Sequence, residues 1–418
     1  MEKVASVKGF NDILPPDSKG WEKLEAYLRN TFNLYGFSEL RLPILEKTEL
    51  FSRSIGEVTD IVEKEMYSFT DKGGTSITMR PEGTASAVRC IIEHKLYALE
   101  PQLKLFYIGP MFRYERPQKG RLRQFHQAGC EIFGSDSPKA EFELLMMLND
   151  ILTGLGIQSV KIEINSLGCP KCRPSFRKAI LNFLSDKKGV LCGDCEKRIE
   201  ANPLRVLDCK VERCRETTKN APVTTEYLCE ECDDHWKKLL KLLDDAGLSY
   251  TINSRLVRGL DYYTKTAFEF TSTYLGAQSA VAAGGRYNNL VEELGGPSIP
   301  AVGFGIGLER LMLLIPDENK KNKEFKVFTA YIGNTAFNKA SEVTSSIREA
   351  GIPCEFDYDG KSLKSQMRRA DKLGCSLVVI IGEDEIARRK AAVKNLNEKT
   401  QQEVDFENLI NFIIKTAR

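Results

Sequence analysis

Apolar residues alternate along two runs, Leu105 to Tyr114 and Gln124 to Phe133, on either side of a polar stretch. That period of two predicts a long antiparallel hairpin. Upstream, Trp21, Leu24, Tyr27, Leu28, Phe32 and Leu34 recur near a 3.6 period and predict a helix capped by Asp17 or Ser18 and ended by Gly36. A strand over Phe37–Leu42 then meets Pro43, which cannot donate to a ladder and so marks a strand end or edge. Ser76 to Met79 reads as a strand that runs through Arg80-Pro81-Glu82-Gly83-Thr84 into an apolar helix over Ala85–Leu99. Beyond the hairpin the pattern predicts a helix over Ala140–Leu155, a strand over Val160–Ile164 and an amphipathic helix over Trp236–Leu243. Strands resume at Tyr250, and another occupies residues 278 to 290 together with the turn Ala283–Tyr287. Ala301–Gly307 alternates glycine with larger residues and leads directly into a helix over Leu308–Leu314.

The last quarter has a different rhythm. After a charged linker over Pro316–Lys323, strands over Lys326–Tyr331, Cys354–Phe356 and Ser376–Ile381 alternate with helices over Ala336–Ala350, Leu363–Leu373 and Phe406–Ala417. Such alternation predicts a separate α/β domain. Lys361, Lys364, Arg368 and Lys372 recur at helical spacing within it, which fits either a solvated face or a stripe that tracks a phosphate backbone.

At 418 residues the chain has room for two or three domains. Its 60 basic and 58 acidic residues nearly cancel, so a nucleic-acid partner would have to be held by local patches. No apolar run approaches the roughly 20 residues of a membrane span, and no signal-like segment opens the chain. A cytoplasmic protein is expected, with its 12 cysteines reduced. Eight of them fall in pairs between residues 168 and 248: Cys169 and Cys172, Cys192 and Cys195, Cys209 and Cys214, Cys229 and Cys232. These spacings let two thiolates reach one tetrahedral ion, so two structural zinc sites are expected, with small-residue core packing as the alternative. His235, three residues past Cys232, reads as an exposed helix residue rather than a ligand.

Several stretches carry candidate chemistry. The hairpin loop holds Lys119, Arg121 and Arg123, and Arg113 closes the first run, where a guanidinium could fork onto a phosphate. Glu82 and Thr84 place a carboxylate and a hydroxyl at a strand end, although Thr84 could also serve merely as a helix cap. Leu256 to Tyr263 (LVRGLDYY) joins a cation to tandem tyrosines; core packing would explain the aromatics but leaves Arg258 without a role. The glycine-alternating strand offers a bare face to a flat ring. It lacks the spacing of a dinucleotide loop or a P-loop.

The string FRYERPQKGRLRQFHQ closely resembles motif 2 of class II aminoacyl-tRNA synthetases. The helix, strand and proline at about 18–43 resemble motif 1, the dimer-forming element, and Ala301–Leu314 resembles motif 3; motif 2 spans about 105–134. Arg80–Thr84 matches the family's amino-acid-binding loop, and Leu256–Tyr263 with Ala283–Tyr287 look like the two signatures of histidyl-tRNA synthetases of bacterial type. The resemblance covers nearly the whole chain. It implies an α+β catalytic core over 1–320 on a mostly antiparallel sheet flanked by helices, a Cys-rich, mostly helical insertion over 168–248, and an anticodon-binding-like α/β domain over 325–418.

The same resemblance implies a homodimer that joins histidine to ATP, with Mg2+, and passes the histidine to tRNA(His). Arg113 and Arg258 would hold the α-phosphate, and Arg121 and Arg310 the distal phosphates. Glu82, Gly83, Thr84 and Gln127 would surround the histidine ammonium, and Arg258 its carboxylate. Glu131 and Tyr263 would meet the imidazole nitrogens, with Tyr262 and Tyr287 lining the pocket. Gln118 would touch the tRNA acceptor end. The competing readings are a histidine-sensing regulatory paralogue, which would usually lack the ATP arginines and the last domain, a synthetase for another amino acid, and a plain RNA-binding module.

Overall fold

The computed structural model describes residues 3–417 except 56–58, 60, 188, 277–279 and 318–324. Residues 278–279 of the expected strand and 318–323 of the expected linker lie outside the described residues. The chain divides into two compact units, Met1–Lys320 and Lys321–Arg418.

In the first unit the strands are β1 (Ser38–Glu39), β2 (Leu45–Lys47), β3 (Tyr67–Thr70), β4 (Ser76–Met79), β5 (Leu103–Phe112), β6 (Gln124–Phe133), β7 (Lys161–Gly168), β8 (Thr251–Ile252), β9 (Thr264–Thr271), β10 (Ala280–Arg286) and β11 (Ala301–Gly307). Among the described residues, eight of them form one sheet in the order β1-β5-β6-β11-β10-β9-β7-β8, and β2-β4-β3 form a smaller one. The large sheet is mixed, which corrects the expectation of a mostly antiparallel one. Its centre is antiparallel, but β1 pairs with β5, and β7 with β8, in parallel. Both edge pairs are separated by long excursions of chain, and only a long crossover can bring strands together in parallel. The expected Phe37–Leu42 strand is short, covering Ser38–Glu39, with the Leu40 N–H still reaching the Phe106 carbonyl. The ladder stops at Glu39, and the chain past Pro43 joins the small sheet instead.

The two faces of the large sheet follow from side-chain alternation. Ala128, Cys130 and Ile132 on β6 and Val302, Phe304 and Ile306 on β11 belong to a core shared with Leu24, Leu28 and Phe32 of the helix Asp17–Leu34. Leu144, Leu148 and Ile151 of the helix Pro138–Gly154 complete it. On the opposite face, register pairs Gly303 with Glu131, Gly305 with Gly129 and Gly307 with Gln127. One face therefore holds the core and the other is left for chemistry.

The segment between β7 and β8 contributes helices Arg173–Ser185, Gly193–Ala201, Glu212–Thr217 and Glu230–Asp245. The first three close on a small core that includes Phe176, Ile180, Leu184, Val206 and Leu207. His235 is buried, against the expectation of an exposed residue. Its Nε2 lies 2.8 Å from Glu141 Oε1, because the helix Glu230–Asp245 packs on the helix Pro138–Gly154.

The second unit is a mixed five-stranded sheet among the described residues, with Cys354–Phe356, Val327–Tyr331 and Leu377–Ile381 parallel and Lys390–Asn395 and Thr400–Asp405 antiparallel beyond them. The last two strands are absent from the sequence reading, since Thr400–Asp405 is almost wholly polar and shows no apolar alternation. Lys364, Arg368 and Lys372 are exposed along the helix Leu363–Lys372, whose Gln366 and Ala370 face inward.

Candidate active site

Glu131 sits on the chemical face of β6 and is fully buried. Three hydroxyls converge on its carboxylate: Thr84 donates at 2.8 Å, Tyr107 at 3.1 Å, and Tyr287 also donates. Burial pushes this carboxyl up to about 8, against the hydroxyl bonds that favour its ionised form, and neighbouring Glu82 adds to the rise. A Cβ on Gly303 would fall on Glu131's carboxylate, so the first glycine of the alternating strand makes room for an acid rather than for a ring. Gly305 and Gly307 are less crowded and open onto the cavity. The Tyr107 ring lies between Gly83 and Gly129, either of which would strike it if it carried a side chain.

Glu82 caps the helix Thr84–Glu93. Its two oxygens accept from the backbone N–H groups of Thr84 at 2.6 Å and Ala85 at 2.8 Å. Burial raises its carboxyl above the usual range, while those N–H bonds oppose the rise. Glu82, Thr84, Tyr107, Gln127, Tyr262 and Tyr263 line a cavity of about 830 Å³, and Glu131, Gly83 and Tyr287 stand behind that wall. Tyr262, Tyr263 and Tyr287 pack as a cluster, with ring centroids 4.6 Å apart for Tyr262 and Tyr263 and 5.6 Å for Tyr262 and Tyr287.

Arg113, Arg121, Arg258 and Arg310 line the same cavity. Arg113 donates through Nε to the Pro81 carbonyl at 2.9 Å and stacks over Phe125 at 5.3 Å. Arg121 pairs with Glu115, and Arg310 donates through Nε to the Gly120 carbonyl at 3.2 Å. Arg258 pairs with Glu269 and lies over the Tyr263 ring at 5.2 Å, and its buried Nε has no protein partner. Burial lowers Arg310, and repulsion from Arg121 and Arg113 lowers it further. Burial also lowers Arg113, with Arg258 adding repulsion. Cations gathered against their own repulsion mark a site for a polyanion. Gln118 is exposed at the hairpin tip, where its backbone bridges to that of Arg121.

The cysteine pairs resolve into two groups of four. The outer group is Cys169, Cys172, Cys229 and Cys232, and the inner group is Cys192, Cys195, Cys209 and Cys214. Within each group the sulfurs lie no more than 4.8 Å apart. Measured separations are 3.6 Å for Cys169–Cys172, 3.8 Å for Cys169–Cys229 and 3.8 Å for Cys192–Cys209. Four sulfurs about 2.3 Å from a tetrahedral ion stand about 3.8 Å apart, so the donor sets fit a closed structural site. Backbone N–H groups of Cys229 and Cys192 donate to the sulfurs of Cys172 and Cys214, at 3.1 and 3.2 Å.

Sequence reasoning missed Tyr107 and Glu115. Tyr107 shares a sheet face with Leu105 and Gly109 in an apolar run, so it reads as core. Its pairing opposite Gly129, two positions from Glu131, was the available signal. Glu115 was passed over as part of a charged loop, yet it is buried and bonded to Arg121.

Residues 9–311 match the family model for histidyl-tRNA synthetase, and residues 326–416 match that for an anticodon binding domain. A protein described as histidine–tRNA ligase from Geobacter sulfurreducens is 53% identical over 401 residues, covering 96% of this chain and 97% of that one. A protein of the same description from Syntrophotalea carbinolica is 48% identical over 99% of both chains. The structure of apo histidyl-tRNA synthetase from S. aureus superposes with a TM-score of 0.83 at 36% identity, over 98% of this chain and 100% of that one.

Proposed function

Since the chain belongs to the histidyl-tRNA synthetase family, we propose that the cavity floored by β6 and β11 is where it activates histidine. The family's reaction joins histidine to ATP as histidyl-adenylate, releases pyrophosphate and passes the histidine to tRNA(His). This makes the chain an aminoacyl-tRNA synthetase, with ATP as substrate and Mg2+ as its companion ion. The observation that carries the site assignment is the meeting of four arginines with Thr84 and Tyr107, two of the hydroxyls that bond Glu131, around one cavity.

Arg113 and Arg258 grip the α-phosphate from opposite sides, and Arg258 also turns the histidine carboxylate toward it. Arg121 and Arg310 hold the distal phosphates. Fixed guanidinium groups stabilise the charge that builds as the carboxylate attacks. Glu82, Thr84 and Gln127 take the ammonium group beside Gly83. Glu131, with the hydroxyls that already converge on it, reads one imidazole nitrogen. Tyr263 meets the other nitrogen, and Tyr262 and Tyr287 close the pocket. Gln118 meets the acceptor end of the tRNA.

Three further readings accompany the site. Each group of four thiolates holds a structural Zn2+, as its separations fit. The chain forms a homodimer, a reading supported by exposed apolar residues Leu34, Ile44, Leu45 and Phe69 around motif 1 and the small sheet. The protein works in the cytoplasm; no helix among the described residues is long and apolar enough to cross a membrane.

The test is exchange of labelled pyrophosphate into ATP, run with each of the twenty amino acids and without tRNA. Exchange with histidine alone is expected. Exchange with a different amino acid would overturn the pocket assignment, and none with any would favour the regulatory paralogue or a requirement for tRNA.

A further inference from the structure

Arg258, Tyr262 and Tyr263 are carried by residues 253–263, which lie in neither helix nor strand. No ladder fixes this segment, so its conformation depends on the groups its neighbours offer it. Asn165 donates to the Ser254 and Leu256 carbonyls and the Asp261 N–H donates to the Ile55 carbonyl, and the other anchors come from the cysteine-rich insertion. Arg205 donates through Nη2 to the Gly259 carbonyl at 2.5 Å, and its Nε lies 3.5 Å from Asp261 Oδ1. Asn202 donates to the same oxygen at 3.1 Å. Arg255 reaches back to the Thr218 carbonyl and hydroxyl, at 3.2 and 2.9 Å, and Arg173 donates to the Tyr263 carbonyl. Val257 packs against the insertion core.

Arg205 and its neighbours stand on one 3-10 turn, Pro203–Val206, between the inner-group cysteines Cys195 and Cys209. The insertion core is small, and a core of that size rarely holds its turns by burial alone. Four thiolates on one ion would anchor the turn on both flanks.

We infer that the inner thiolate site and the turn beside it form a clamp on residues 255–263, in which Arg205 and Asn202 are positioning residues for histidine recognition by Arg258. The inference rests on the assignment of Arg258 to the histidine carboxylate. It joins a metal site in the insertion to substrate affinity in the catalytic cavity.

Pyrophosphate exchange at varied histidine and varied ATP tests the clamp. Arg205→Ala and Asn202→Ala are each expected to raise the KM for histidine about tenfold or more, with a smaller rise for ATP because Arg258 also holds the α-phosphate, while leaving the zinc content of two per chain and the melting temperature unchanged. Arg205→Lys, which keeps a charge opposite Asp261, should fall between wild type and Arg205→Ala. Cys192→Ser should lower zinc from two to one per chain and raise the histidine KM in parallel. An unchanged histidine KM in both Arg205→Ala and Asn202→Ala, or an ATP KM that rises as much as that for histidine, overturns the clamp. Loss of zinc in Cys192→Ser with an unchanged histidine KM removes the metal from it. Arg258→Ala in the same assay separates the two levels: if it too leaves histidine KM and rate unaltered, the fault lies in the site assignment.

Discussion

Arg258→Ala is expected to slow histidine-dependent pyrophosphate exchange by about 10²–10³-fold, the usual cost of losing one preorganised donor to developing charge. Arg258 is held by Glu269 and the Tyr263 ring, and its buried Nε is unpartnered. A buried donor without a partner is costly unless a ligand meets it. Arg258→Lys should recover little, because a point charge cannot fork between a phosphate and a carboxylate. Exchange rates within about threefold of wild type would remove Arg258 from the α-phosphate.

The second large effect concerns stability. Arg286 is fully buried and donates to both oxygens of the fully buried Glu141, which also bonds His235. Burial alone would raise the Glu141 carboxyl, but Arg286 and then His235 outweigh it and hold it down at about 2. Arg286→Met strands that carboxylate and is expected to cost about 3–5 kcal/mol in thermal or denaturant unfolding of the first unit. The pH dependence has a fixed sign, since the folded carboxyl titrates below the unfolded one, near 4.3. Its stabilisation is complete above that unfolded value and is lost as pH falls toward about 2, so the gap between wild type and variant should narrow in acid. Converting Glu141 to leucine together with Arg286→Met should restore much of the loss. A gap that widens in acid would contradict the pairing.

Elements with a strong period were legible without coordinates. The hairpin β5–β6, the glycine strand with its following helix and the final helix Phe406–Ala417 fall close to where the apolar pattern puts them. The short helices of the insertion were not legible, because their order comes from thiolate spacing and a small core rather than from a long apolar face. His235 shows the same limit. Its burial is set by a helix nearly a hundred residues away, and nothing in its own stretch announces Glu141 as its partner. In the candidate site, a period of two along β6 puts Gln127, Gly129 and Glu131 on one face, where they pair with Gly307, Gly305 and Gly303. It could not say that Gly303 would be filled by Glu131, since register across strands is a tertiary fact. Tyr107 was lost for the same reason.

Glu131 is the proposed reader of the substrate ring. Glu131→Gln keeps the size of the side chain and one acceptor for the surrounding hydroxyls, but puts an N–H₂ where a second acceptor stood. The decisive measurement is the KM for histidine and for ATP in pyrophosphate exchange by this variant and by wild type. A rise of about 10- to 100-fold for histidine with an unchanged value for ATP is predicted, the range expected when a buried hydrogen-bond partner is left unsatisfied. An unchanged histidine KM would mean that the ring is read elsewhere and that the buried carboxylate serves only to tie β6 to its neighbours.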